Sequence, residues 1–159
     1  MLREICLWLA KRLPSFTIPD SDGKPYLTRY YLFGKDRAFG NIFIHHFHQS
    51  DSDHDDDEWN TLLMHNHPWP WSLSYIVDGG YTEERRVWAH SGWGVDAKTY
   101  VPGMFNYITH DDFHRVDLLD KDAWSIFFTG WRSKKRSWGF WNRNTWIYRD
   151  WTTMSKAIA

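Results

Sequence analysis

"LLMHNHPWPW", residues 62 to 71, sets two histidines two positions apart on an apolar run and then breaks the run with two prolines. In an extended strand alternate side chains share a face. His65 and His67 therefore point the same way as Leu63, with Cα atoms about 6.6 Å apart. Two imidazoles at that spacing can converge on one ion, and further ligands must then come from other strands. The "FHRV" stretch offers His114.

The same period of two recurs on both sides of this stretch. It runs through "NIFIHHFHQ" (41–49), "SLSYIV" (72–77), "YTEERRVW" (81–88), "KTYVPGMFNYIT" (98–109), "FHRVDLL" (113–119) and "WSIFFTGW" (124–131). Turn residues separate these runs: "DGG", "HSGWG", "THDD" and "LDKD". Many short strands with no long helical segment between them predict an all-β antiparallel sandwich or barrel. Ahead of them, residues 1–16 predict a short amphipathic helix, because Leu2, Ile5, Leu9 and Leu13 recur at helical spacing. Its apolar stretch is broken by Lys11 and Arg12, too short for a membrane span, and carries no small-residue cleavage pattern. Packing against the domain is the simplest reading.

The chain has 159 residues, which suits one domain over 1–159 with a barrel over about 24–131. A net charge of −1 gives no whole-molecule field toward nucleic acid or an anionic membrane. "RSKKR" (132–136) reads as a solvated hairpin end. "HQSDSDHDDDEW" (48–59) lacks the glycine spacing of a calcium loop and reads as a solvated segment able to act as a lid. The single cysteine, Cys6, leaves no disulfide within the chain and fits a reducing, cytoplasmic setting. Aromatic residues make up 19% of the chain, with 12 Trp, so the core or a cleft must house many flat rings. Nine histidines raise the expectation of metal or proton chemistry.

"HNHPWPWSLSYIVDGG" followed by "VPGMFNYITHDDFHRV" resembles the two motifs of the cupin superfamily. His65 and His67 fall on the paired histidines of the first motif and Gly79 on its glycine. Pro102 and Gly103 fall on the start of the second motif, and His114 on its histidine. The resemblance covers roughly residues 40–130. It implies a single jelly-roll barrel, a double-stranded β-helix, with a metal at its centre. "WSIFFTGWRSKKRSWGFW" also resembles the end of a small group of bacterial and phage cupins, which implies an aromatic extension over about 132–159 wrapped around the outside.

The chain departs from the pattern at Ser72, where the family usually carries Glu. A hydroxyl is a poor ligand for a divalent metal. "YIVDGGYTEE" reads as a hairpin with its turn at Asp78-Gly79 or Gly79-Gly80. Either register places Ser72, Ser74 and Ile76 on one face with Tyr81, Glu83 and Arg85. Glu83 is then a candidate fourth ligand or a general base. The alternative is three imidazoles with open positions, a catalytic rather than a structural arrangement. His110, in the turn before His114, is an alternative third ligand. His45, His46, His48, His54 and His90 read as surface or loop residues, with His46 and His48 able to line a pocket mouth. Trp69, Trp71, Ser72 and Ser74 are candidate pocket walls. Trp138, Trp141, Trp146 and Trp151 read as packing for the tail. Arg85, if inward, would hold a substrate carboxylate or phosphate.

Three neutral imidazoles, with or without a carboxylate, suit Fe(II), Zn, Mn, Ni or Co. The resemblance implies a metal-dependent enzyme, with Fe(II) favoured, acting as an oxygenase or isomerase on a small polar or anionic molecule. It also implies a possible homodimer. Two other readings stand beside it. One is a cupin module that binds a sugar, nucleotide or metabolite without turnover. The other is a metal-independent sugar-nucleotide epimerase type, which needs a histidine base and a tyrosine acid, Tyr81 or Tyr107.

Overall fold

The computed structural model describes residues 1–20, 23–33, 40–51, 63–90, 92–132 and 137–155. His54, most of the acidic stretch and all but Arg132 of the basic run lie outside the described residues. Among the described residues there are twelve strands in two six-stranded antiparallel sheets, four of them (over 15–19, 25–31, 139–142 and 148–150) outside the period-two runs of the sequence reading. These are β1 (Ser15–Pro19), β2 (Pro25–Tyr31), β3 (Asn41–Phe47), β4 (Leu63–His65), β5 (Trp71–Asp78), β6 (Tyr81–Ala89), β7 (Gly92–Tyr100), β8 (Phe105–Thr109), β9 (His114–Leu118), β10 (Ala123–Thr129), β11 (Gly139–Asn142) and β12 (Tyr148–Asp150). One sheet runs β1-β2-β3-β10-β5-β8 and the other β12-β11-β4-β9-β6-β7. Two facing sheets with the chain crossing between them make a jelly-roll barrel.

The helix α1 (Leu2–Ala10) is shorter than the stretch to residue 16, since Ser15 already opens β1. Its buried face also differs from the expected one. Cys6, Leu9 and Leu13 pack with Leu7 and Ala10 against Ile44 and Trp124, whereas Leu2 and Ile5 stay exposed. A helix lying across a sheet buries the positions that meet it, and here those fall one residue later than the leucine count suggests. A second helix, α2 (Trp151–Ser155), follows β12. Among the described residues no helix is long and apolar enough to cross a membrane.

Two expectations change. Asp78-Gly79-Gly80 is not a hairpin turn but the corner where the chain leaves one sheet for the other, because β5 pairs with β10 and β8 while β6 pairs with β7 and β9. Gly79 and Gly80 both have positive φ, 68° and 145°. A Cβ on Gly79 would stand 2.2 Å from the Asp122 carbonyl oxygen, so only glycine fits the corner. The aromatic tail is likewise not wrapped outside the barrel. β11 pairs with β4 and extends the second sheet. Trp141 is 3% exposed and closes a core cluster with Met64 and Phe113.

Candidate metal centre

The described part of "LLMHNHPWPW" begins at β4, and β4 ends at His65. The alternation nevertheless continues to His67, because Asn66 is pinned on the opposite side. Its backbone N–H donates to the Gly139 carbonyl (3.2 Å), its Nδ2 donates to the His110 carbonyl (2.9 Å), and its Oδ1 accepts the Gly139 N–H (2.9 Å). Pro68, which has no N–H, cannot continue the ladder. His114 opens β9 as the direct cross-strand partner of His65. Three imidazoles therefore meet on the inner face of one sheet.

Each of His65, His67 and His114 offers one ring nitrogen, and these atoms lie within 4.8 Å of one another. The Nε2 atoms of His67 and His114 are 2.9 Å apart. For metal–nitrogen bonds of about 2.0–2.1 Å, two ligands at a right angle stand about 2.9–3.0 Å apart, so this edge fits a divalent transition metal. The donor set is three borderline nitrogens, which the same metals favour.

Burial favours the neutral form of His65 and His67, the form that ligation requires. It lowers the His65 pKa to about 4 from an ordinary 6.5, with the neighbouring His114 adding to the effect. It pushes His67 well below the ordinary value, again helped by His114 and His65. The unfolded chain therefore takes protons between about pH 6.5 and 4 that the folded chain refuses, and stability falls as pH falls through that window. For His65 alone the loss is about 3 kcal/mol by pH 4. Melting temperatures of the chelator-treated protein are expected to drop steadily from pH 7 to pH 4.5. A flat profile across that range would contradict burial of His65 and His67 as neutral imidazoles.

Glu83 lies 2% exposed on β6 but does not join the converging nitrogens. Its Oε1 accepts the Nδ1–H of His114 (2.7 Å) and the Nδ2–H of Asn106 (2.9 Å), and its Oε2 accepts Arg85 Nη2 (2.8 Å). Burial raises its pKa, but the hydrogen bond and charge of His114 and the charge of Arg85 outweigh burial and leave it below the ordinary value. Glu83 thus stays ionised, fixes the His114 tautomer, and turns the Nε2 lone pair toward the other imidazoles. Asn106, fully buried, ties the network together by also donating to Tyr81 Oη (3.2 Å) and accepting from Arg85 Nη2 (2.9 Å).

The triad opens onto a cavity of about 340 Å³ between the sheets. Trp69, Ser74 and Tyr81 line it. Trp71 does not. It is 37% exposed, and its Nε1 lies beside Gly130. Ser72 is buried beneath Ile108, whose carbonyl accepts its hydroxyl (3.4 Å), and does not reach the cavity. Arg85 is spent on Glu83, Asn106 and the Tyr107 carbonyl and is not a lining residue. His110 donates from Nδ1 to the His67 carbonyl (2.6 Å), which clamps the loop rather than adding to the triad.

The reading of the second histidine run is corrected. His45 is 3% exposed and lines the cavity, stacked on Phe127. His46 and His48 lie on the opposite face of β3. His46 stacks on Trp124 and pairs with Asp122 (2.9 Å), and His48 meets Thr28 Oγ1 (2.8 Å). Besides His45, the polar lining residues Tyr26, Arg29, Asp51 and Arg132 are not among the expected pocket walls; the last two fall in stretches that read as solvated. The signal for Arg29 is the alternation Leu27-Arg29-Tyr31, which places a cation on the same face as two apolar side chains. Asp51 accepts from Tyr26 Oη and from the Val116 N–H (2.7 Å), and stands 3.8 Å from His65 Nδ1.

No family model matches the sequence, and neither does any curated protein. Solved structures do match. Fe(II) HppE in complex with substrate superposes with a TM-score of 0.55 at 11% identity, over 75% of this chain and 57% of that one. The DMSP lyase DddQ from Ruegeria pomeroyi DSS-3 gives 0.57 at 12% identity, over 86% and 64%. Streptomyces albus HEPD with 2-hydroxyethylphosphonate and Fe(II) bound gives 0.53 at 13% identity, over 77% and 25%. The chain thus spans less than two thirds of the length of each. Two facing antiparallel sheets around a histidine-lined cavity, together with these superpositions, give this chain the cupin fold.

Proposed function

We propose that the protein is a mononuclear divalent-metal enzyme acting on a small molecule in the central cavity. His65, His67 and His114 would hold the ion. The carrying observation is the convergence of three imidazole nitrogens within 4.8 Å of one another at the wall of a cavity of about 340 Å³. Such an ion, when bound, supplies a Lewis acid with positions left for substrate. Iron(II) is the favoured metal and oxygenase chemistry the favoured reaction class, in keeping with the donor set and with the Fe(II) bound in two of the superposed proteins.

The chain's own residues divide the remaining work. Glu83 accepts the Nδ1–H of His114 and so orients its Nε2 toward the other imidazoles. Tyr81, whose pKa burial raises, stays a phenol and presents a proton donor to the cavity. Trp69, packed between Phe43 and Phe127, is a rigid wall that excludes water. The epimerase-type reading is less favoured. Tyr107 is 55% exposed, and the His114 nitrogen that would act as base faces His67 at 2.9 Å.

The test is reconstitution of chelator-treated full-length protein with Fe(II), Zn or Mn under anaerobic conditions, followed by elemental analysis and oxygen-uptake assays with pooled small acids. One ion per chain is expected, with His67→Ala and His114→Ala losing it. Equal metal content in wild type and both variants would overturn the site. Stoichiometric iron without oxygen uptake would leave a binding module in place of an oxygenase.

A further inference from the structure

The inner face of β2 carries a cation that the metal reading leaves without a role. Arg29 lines the cavity, with its guanidinium carbon 4.9 Å from the Phe43 ring centroid and 5.7 Å from that of Trp69. Its Nε donates to His45 Nε2 (3.1 Å). Burial and the charge of Arg29 together hold the His45 pKa well below its ordinary value, so His45 accepts this bond as a neutral imidazole. Among the described residues no carboxylate lies within ion-pair distance of Arg29. Arg29 is half-buried and also hydrogen-bonds the Tyr31 side chain, but a largely desolvated guanidinium without a carboxylate is costly, and its planar fork suits an incoming oxyanion.

The other charges of the cavity do not complete it. The lining carboxylate, Asp51, already accepts from Tyr26 and Val116. The second lining cation, Arg132, is exposed at the edge of the cavity. The described lining thus carries two arginines against one carboxylate. The rest is apolar and largely aromatic, with Trp69, Phe127, Trp138 and Phe140 among the walls. Flat rings suit a flat or apolar ligand body, and a rigid fork on an aromatic shelf suits an oxyanion.

We propose that this cavity selects an oxyanion carried on a flat apolar body, and that Arg29 is the residue that holds the anionic group. The proposal rests on the cavity being the substrate site, and it names the class of substrate. It moves the anion-binding role from Arg85, which is bound to Glu83, to Arg29 on the opposite sheet.

The test uses isosteric probes of different charge. Benzoate, phenylphosphonate, benzamide and benzamidine are titrated by calorimetry into the full-length protein and into His67→Ala, each with chelator present. At least one of the two oxyanions is expected to bind about tenfold or more tighter than benzamide, with benzamidine weakest. Because chelator is present in every titration, this order in the wild type stands or falls independently of the metal. Arg29→Gln should abolish the preference, Arg29→Lys should retain part of it, and Arg132→Gln should leave it intact. If neither oxyanion outranks benzamide in the wild type, the proposal is overturned without recourse to any variant. A preference that survives Arg29→Gln but vanishes in Arg132→Gln would overturn the assignment to Arg29.

Discussion

Glu83→Ala is expected to lower stability by about 3–5 kcal/mol, the range found when one partner of a buried ion pair is removed. In a domain of this size that is a fall in melting temperature of about 8–15 °C. Glu83 is 2% exposed, and its two oxygens are shared among His114, Asn106 and Arg85. Truncation leaves the Arg85 guanidinium without its close carboxylate, since Asp112 remains only at 3.6 Å. It also leaves the His114 Nδ1–H without an acceptor. Metal affinity should fall by about 10- to 100-fold, as for other residues that orient a ligating histidine. Glu83→Gln keeps an acceptor for His114 while removing the charge, so its losses should be smaller in both measurements. Thermal melts together with metal titration decide the point. An alanine variant within about 1 kcal/mol of wild type would show that the network is not holding His114.

Trp141→Ala is expected to cost a similar amount, about 3–5 kcal/mol, for a different reason. Its ring fills the space between Met64, which is fully buried, and Phe113. Trp146 meets it edge-on at 4.9 Å, and Arg86 lies over it at 5.1 Å. The residues it touches flank the ligands directly, Met64 preceding His65 and Phe113 preceding His114. Chemical denaturation of the variant is the measurement. Trp88→Ala, at a ring 69% exposed, serves as the reference and should change stability by roughly 0.5 kcal/mol or less. Equal small effects at the two tryptophans would mean that the tail is dispensable after all.

The strands were legible because most carry one polar face, and the convergence of His65, His67 and His114 followed from spacing joined to a motif. What failed was legible only in three dimensions. β3 has apolar residues on both faces, Phe43 and Phe47 inward and Ile44 outward under α1, so nothing in "NIFIHHF" says which histidine faces in. The corner at Gly79-Gly80 carries the same residues as a hairpin turn, and strand pairing alone tells them apart. The position of Glu83 on the inner face followed from alternation. Its use as a holder of His114, rather than as a converging ligand, depends on the exact reach of Arg85 and Asn106. A lone arginine in an aromatic strand, such as Arg29, is indistinguishable in sequence from ordinary surface charge until its neighbours are known.

β4 is three residues long, and it is wedged between β9 and β11. The three imidazoles therefore come together only when segments around residues 65, 114 and 140 have all been laid side by side. Pairings this distant along the chain form late. On a ribosome, the chain through about residue 140 must have left the exit tunnel before the three histidines can be held side by side.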